Sequence, residues 1–451
     1  MTSPLNQSIQ DFGRAIFAEI GQEQPSAFNK KYWIGKIMEW SITQPEFKTN
    51  MFRLVDVLPA LRSSAAIAGH VREYLAGCAG NIHGLLGWGL SAPPNSITGK
   101  LTSHFVKRSV IQMANFFIAG RDAREALPTL KRLRRSRLAF TVDLLGEFST
   151  SEREANLYVA RYLDALDVLS RGLHETKEGA TLMHGHPGEV SAVCVSIKLT
   201  ALYSQCSPLN YDGTVQALSE KLALIARKAK QLNASIYVDA EDTANNQMIY
   251  ASFKKVFSSD EFRTFPFPGI VVQAYCKDSP EILDDLIEFT KTRGAPISVR
   301  LVKGAYWDQE TILAAQNNWP SPLFSDKESS DANFEALSRT LIDNHEFVLP
   351  AFGSHNVRSL AHACCYAEHK KIDRSRFELQ MLYGMAEPIA RAFAKHGNLV
   401  RLYVPLGDMI VGMGYLVRRL LENTSNESFL RSSFCNQAEI SQLLEEPVLS
   451  E

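Results

Sequence analysis

The stretch VQALSEKLALIARKAKQLNASIYVDA (residues 215–240) reads as a helical run, VQALSEKLALIARKAKQL, followed at once by a strand-like run, ASIYVDA (234–240). The alternation recurs along the chain. Further strand-like runs are LAFTVDLLG (138–146), EVSAVCVSIKL (189–199), GIVVQAY (269–275), ISVRLVKGAY (297–306), FVLPAFGSH (347–355), RFELQMLYG (376–384) and NLVRLYVPLG (398–407). Helical patterns such as PEILDDLIEFTKTRG separate them. Strand alternating with helix implies parallel pairing. Eight such units across about 300 residues predict a (β/α)8 barrel, a TIM-like fold. A doubly wound open sheet is the alternative, but no GxGxxG follows the first strand, which weakens its dinucleotide-binding version.

Upstream, residues 1–130 read as a helical arm and N-terminal helical region. SIQDFGRAIFAEI puts Ile9, Phe12, Ile16 and Ile20 at helical spacing, with Ser8 as its cap. AIAGHVREYLAG and QMANFFIAG are also helical, each closed by a glycine. SAPPNS (91–96) is a turn-rich break. Trp33 and Trp40 fit packing rather than ligand binding. The barrel is expected over 131–430 with a lid helix near 409–423, and a tail over 431–451.

Composition excludes several classes. Of 451 residues, 45% are hydrophobic and 22% charged, as in a soluble globular protein. Net charge is -1, with 48 basic and 49 acidic side chains, which argues against nucleic acid as a partner. The basic run KRLRRSR (131–137) reads as a solvated helix end leading into a strand. Seven cysteines, none in a CxxC pair, suit a reducing compartment and no zinc site. His184 and His186 in MHGHP fit a loop better than a metal site. No signal peptide and no apolar run near the ~18 residues of a span are evident. The expected location is cytoplasmic, or peripheral at the inner face of the cytoplasmic membrane.

In a barrel of this kind, chemistry gathers where strands run into the loops that follow them. These ends carry Asp143 and Glu147, Lys198, Asp239 and Glu241, Gln273 and Tyr275, Arg300 and Lys303, Ser354, His355 and Asn356, Gln380, and Tyr403. Lys198, Arg300 and Lys303 interrupt runs that otherwise look buried, so each should meet an anion, Asp143 or Asp239 in the case of Lys198. A surplus of cations would suit an anionic ligand. Gly304 and Ala305 would let a cofactor approach the backbone, or would form a simple tight turn. In GYLVRRLLEN (414–423), helical spacing puts Tyr415, Arg418, Arg419 and Glu422 on one face. That face is either a fork for an anion or an ordinary solvated surface.

VSIKLTAL, IYVDAED, GIVVQAY, RLVKGAYWD, FGSHN, FELQMLYGM, RLYVPLG and YLVRRLLEN, in that order, resemble the strand-end motifs of flavin-dependent proline dehydrogenase. IMEWSITQPEFKTNMFRLVDVLPALRSSAAIAGHVREYL is similar to the helical arm of the proline utilisation A type. The resemblance implies FAD as cofactor and oxidation of L-proline to Δ1-pyrroline-5-carboxylate, the first step of proline catabolism to glutamate. A membrane quinone would take the electrons, and a separate pyrroline-5-carboxylate dehydrogenase would be a partner. Lys198, Arg418 and Arg419 would hold the substrate carboxylate, with Tyr403, Tyr415 and Leu382 around the ring. Asp239 would lie at the substrate end of the flavin and orient the cations. Ala240, Gln273, Arg300, Lys303, Gly304, Ala305, Tyr306, Trp307, Ser354, His355, Asn356 and Glu422 would contact FAD. Arg300 and Gln273 would lie nearest the polar edge of its ring. Asp239 and Arg300 are thus the catalytic candidates, and the lid reading takes the arginines as a fork.

The chain departs from the family pattern at Asp408, Met409 and Ile410. It departs again at Asp326, where a basic residue is expected near the adenosine side. It stops without the aldehyde dehydrogenase domain of the utilisation A type, as either a stand-alone enzyme or the first half of a longer one, and it lacks the basic N-terminal DNA-binding segment, so no repressor role is expected. Two other functions compete: a silent flavin- or proline-binding sensor or partner subunit, and a hydroxyproline enzyme. Tyr415, by the resemblance, would crowd a 4-hydroxyl and favours proline.

Overall fold

A computed structural model describes residues 3–22, 63–75, 117–146, 148–174, 191–408 and 437–450, with single positions between 46 and 61 and at 104. Eight strands form a closed barrel in sequence order: β1 (Ala139–Leu144), β2 (Cys194–Ile197), β3 (Ser235–Val238), β4 (Pro268–Gln273), β5 (Ile297–Val302), β6 (Val348–Gly353), β7 (Glu378–Leu382) and β8 (Leu399–Leu406). All neighbouring pairs are parallel, and β1 closes the ring on β8 with Ala139 opposite Arg401 and Leu144 opposite Leu406. Every strand-like run predicted from the sequence coincides with one of these strands, each shorter than its run, and only β4 starts outside it, one residue early at Pro268.

The described helices are α1 (Pro4–Gln22), α2 (Ser64–Leu75), α3 (Ala123–Arg135), α4 (Glu152–His174), α5 (Tyr211–Gln231), α6 (Thr243–Phe257), α7 (Ser279–Arg293), α8 (Trp307–Asn317), α9 (Lys327–Asp343), α10 (Val357–His369), α11 (Glu387–Lys395) and α12 (Gln437–Leu443). In α5, Val215, Leu218, Leu222, Ile225, Ala226 and Ala229 are buried at helical spacing, which gives the helix one apolar side to lay against the sheet. Side-chain caps start several of these helices. Asp122, Asp242, Asp326 and Asn356 each accept a backbone N–H from the first turn of α3, α6, α9 and α10. Gly294, at φ 76°, closes α7 in the left-handed conformation, with its N–H donating to the Thr290 carbonyl.

The core between strands and helices is apolar: Val142, Ile197, Ile236, Ile270, Val299, Phe352 and Val400 are fully buried. The barrel interior is not. Tyr237 of β3 reaches across to Glu378 of β7 at 3.5 Å, and Arg401 of β8 grips both Glu378 oxygens at 2.8 and 2.9 Å. An ion pair so buried needs such paired geometry to offset desolvation.

Two expectations change. Ser8 does not cap α1, because the helix begins at Pro4. Ser3 accepts the Asn6 N–H instead, at 3.2 Å, and the Ser8 hydroxyl donates back to the Pro4 carbonyl inside the helix. KRLRRSR does end a helix before β1, but Arg134 is buried rather than solvated. Helix α3 runs through residue 130. Ala123, Ala126, Leu130 and Leu133 of α3 and Ile16, Phe17 and Ile20 of α1 belong to the same core as the strands. Phe12 meets Phe393 edge-on at 5.8 Å, so α1 lies on the barrel at α11. Residues 118–120 run beside the end of β8, with Gly407 donating to the Gly120 carbonyl at 3.0 Å. In the tail, Leu444 is fully buried. The expected lid helix lies outside the described residues, as do Trp33, Trp40, His184 and His186.

Candidate active site

A cavity of about 650 Å³ opens at the C-terminal ends of the strands. Lys198, Asp239, Ala240, Gln273, Arg300, Lys303, Gly304, Ala305, Tyr306, Trp307, Ser354, His355, Asn356, Leu382 and Tyr403 all line it. Every site residue expected from the sequence and described in the structure is therefore in one place. Tyr415, Arg418, Arg419 and Glu422 lie outside the described residues.

Its floor is a connected polar array drawn from five strands. Lys198, just past β2, sits 2.5 Å from Asp143 of β1 and 3.9 Å from Asp239, just past β3. Arg300 of β5 donates to Asp239 at 2.7 Å and to Ser196 of β2 at 3.1 Å, and its guanidinium lies 4.1 Å over the Tyr237 ring. Tyr403 of β8 donates to the other Asp239 oxygen at 2.6 Å. Burial disfavours the Lys198 charge, but Asp143 and Asp239 outweigh it and hold its pKa above the ordinary lysine value. Arg300 follows the same logic with Asp239 as the deciding partner. Burial lifts the Tyr403 phenol well above its ordinary value, so it remains a donor.

A second array lines one wall. Lys303 and Lys327 both pair with Asp331, and the two lysines outweigh burial to hold the Asp331 pKa low. Gly304 has φ +135°, and a Cβ there would lie 2.4 Å from the Tyr275 ring. Only glycine lets this loop close over Tyr275. The Trp307 indole donates to the Phe324 carbonyl at 3.0 Å, which ties the start of α8 to the 318–326 loop. On the opposite wall, His355 Nε2 accepts the Leu382 N–H at 2.9 Å, which puts its proton on Nδ1 in the neutral ring.

The three cations, Arg300 buried and Lys198 and Lys303 partly so, each meet a carboxylate, as their place in apolar runs required. The expected surplus of positive charge counted Arg418 and Arg419, which lie outside the described residues. Among the described residues, Lys198, Arg300, Lys303 and Lys327 face Asp143, Asp239, Asp326 and Asp331 around the cavity. Glu241 does not face it. Its carboxylate turns to the Thr200 backbone N–H and hydroxyl, and burial raises its pKa to about 7. Asp326 is the cap of α9: it accepts the Ser329 N–H at 2.6 Å and the Ser450 hydroxyl at 2.8 Å.

The sequence reading assigned no role to Glu310, Asp331, Met381 or Met385, and left Asp143 as a pairing partner only. Asp331 was legible as an i,i+4 partner of Lys327. Glu310 had no such signal, because its partners Tyr275 and Thr243 are remote in sequence.

Parallel strands closed into a ring, with a ligand-sized cavity at their C-terminal ends, define a (β/α)8 barrel protein whose site lies at the usual mouth. The model of the proline dehydrogenase family matches residues 126–432, and that of the proline utilization A N-terminal domain matches residues 6–117. The chain belongs to the proline dehydrogenase family. It is 29% identical over 370 residues to the bifunctional protein PutA of Escherichia coli (strain K12), covering 80% of this chain and 27% of that protein. It is 28% identical over 322 residues to proline dehydrogenase 1 of Bacillus subtilis (strain 168), covering 70% of this chain and 89% of the relative. The crystal structure of proline utilization A from Bdellovibrio bacteriovorus inactivated by N-propargylglycine superposes with a TM-score of 0.89 at 40% identity, over 98% of this chain and 44% of that one. The chain thus spans less than half the length of the PutA proteins it matches.

Proposed function

We propose that this chain oxidises L-proline to Δ1-pyrroline-5-carboxylate with FAD as cofactor, as the first step of proline catabolism. The observation that carries the reading is one cavity lined by every described residue to which the resemblance gives a role. The cavity fits a flavin on its own terms. Its size suits a ring system. Gly304, packed against Tyr275 as only glycine can be, keeps the 303–306 loop in the cavity wall, and the buried Arg300 Nε has no hydrogen-bond partner among the described residues. A buried guanidinium donor left unmatched expects an acceptor from the ligand. Ala240, Gln273, Arg300, Lys303, Gly304, Ala305, Tyr306, Trp307, Ser354, His355 and Asn356 would hold the cofactor, with Glu422. When bound, FAD would accept a hydride and pass the electrons on to a membrane quinone.

The chain's own residues do the aiming. Lys198, with Arg418 and Arg419, would grip the proline carboxylate, Tyr403, Tyr415 and Leu382 would enclose the ring, and Asp239 would hold Arg300 and Tyr403 in register. The ring carbon beside nitrogen gives up hydride as a C=N bond forms, and the amine proton must leave first. Activity should therefore rise with pH as the bound amine loses its proton. The pyrroline product would go to a pyrroline-5-carboxylate dehydrogenase.

The test is dye reduction by the purified protein with L-proline and with trans-4-hydroxy-L-proline. The proposal expects turnover with proline and little with the hydroxylated ring. Turnover with hydroxyproline alone would contradict the substrate. A protein that binds flavin yet turns over neither would favour a silent sensor or partner subunit.

A further inference from the structure

Gln273 stands in the cavity wall with its amide fully oriented by neighbours. Its Nε2 donates to the Glu241 carbonyl at 3.2 Å and to the Tyr275 hydroxyl at 3.3 Å. Its Oε1 accepts from Asn246 at 3.4 Å. The reversed amide is excluded, because a backbone carbonyl only accepts and would then face Oε1. The Tyr275 hydroxyl is oriented in turn. It has one proton, and that proton goes to Glu310 Oε1 at 3.0 Å, since a carboxylate has none to give. Burial, then the Glu310 charge, keeps the phenol protonated far beyond neutral pH. Glu310 is itself pinned by the Thr243 N–H at 3.2 Å and by the Thr243 hydroxyl. Gln273, Tyr275 and Glu310 are all buried.

Both amide protons of Gln273 are therefore spent inside the protein, and its free capacity toward the cavity is an acceptor. Arg300, on the neighbouring strand, offers the opposite, a buried Nε donor without a partner among the described residues. A ligand edge meeting both must carry an N–H donor and an acceptor. The isoalloxazine ring has one such edge, where its single N–H, at N3, lies between two carbonyls.

We infer that Glu310 and Tyr275, neither of which need touch the reacting atoms, are positioning residues that lock Gln273 as an acceptor for the imide N–H of the flavin. The inference rests on the flavin reading above. Glu310 acts through Tyr275, and Tyr275 through Gln273.

The experiment measures the dissociation constants of FAD and of N3-methyl-FAD, which lacks that N–H, for apoprotein prepared from wild type and variants. Wild type should prefer FAD strongly. Tyr275→Phe keeps the ring against Gly304 but frees one Gln273 proton. It should weaken FAD binding roughly tenfold, the loss of about one hydrogen bond, and shrink the preference for the unmethylated flavin. Glu310→Gln can still accept from Tyr275 and should retain wild-type values, whereas Glu310→Ala should behave as Tyr275→Phe. A Tyr275→Phe protein with unchanged affinity and unchanged preference overturns the inference. A wild type that binds neither flavin overturns it together with the flavin reading. A wild type that binds FAD selectively but is not reduced by proline overturns only the proposed activity.

Discussion

At the residue scale, charge placement inside strand-like runs was the most informative signal. Lys198, Arg300 and Lys303 each looked too costly to bury alone, and each has its carboxylate. What stayed illegible was which partner would serve, because Asp143 and Asp239 both lie within reach of Lys198 and only the barrel geometry ranks them at 2.5 and 3.9 Å. Lys198→Met should leave Asp143 buried without its cation, destabilise the protein by roughly 3–5 kcal/mol, and raise the KM for proline. Urea unfolding and steady-state kinetics check both parts. Glu241 gives a pH prediction. Its pKa is near 4.5 unfolded and about 7 folded, so the folded state keeps the proton longer. Its contribution to stability is full below about 4.5 and declines as pH rises through 7. Glu241→Gln can keep both contacts to Thr200, and should be more stable than wild type at pH 8 but not at pH 4. Denaturant midpoints at the two values decide it.

Among the elements, helical periodicity placed α1 correctly, but its cap was misjudged because Ser3 and Ser8 are equally good residues in the sequence. Only the chain's entry at Pro4 distinguishes them. The joint between α1 and the barrel was not legible at all. Arg358 in α10 holds Glu335 of α9 at 2.9 Å, Asn6 of α1 at 2.7 Å and the Leu444 carbonyl at 2.7 Å, contacts that are remote in sequence. Arg358→Leu should strand Glu335 in the core and cost roughly 3–5 kcal/mol. Asn6→Ala, which keeps the ion pair, should cost clearly less, near one hydrogen bond of about 1 kcal/mol. Thermal unfolding of the two variants should rank them in that order. Asp326 shows how a motif departure can be structural: the residue that replaces an expected base caps α9 and holds Ser450. Asp326→Asn should preserve the melting temperature and Asp326→Ala should lower it.

For the whole molecule, the barrel was legible because both of its periods repeat along the chain. Parallel strands buried on both faces give short apolar runs, and the helices between give longer amphipathic ones. The polar barrel interior was less so, since Glu378 and Arg401 look like strand-end charges until the ring closes and sets them together. The mouth was legible through its motifs, and the structure gathers them around one cavity. If this cavity holds FAD where L-proline can reduce it, the flavin itself reports the reaction. Anaerobic titration of the flavin-loaded protein with L-proline, followed by visible absorbance, tests it most directly. The oxidised flavin band should bleach as proline is added, with Δ1-pyrroline-5-carboxylate formed in step. A flavin band that persists under excess L-proline would contradict it.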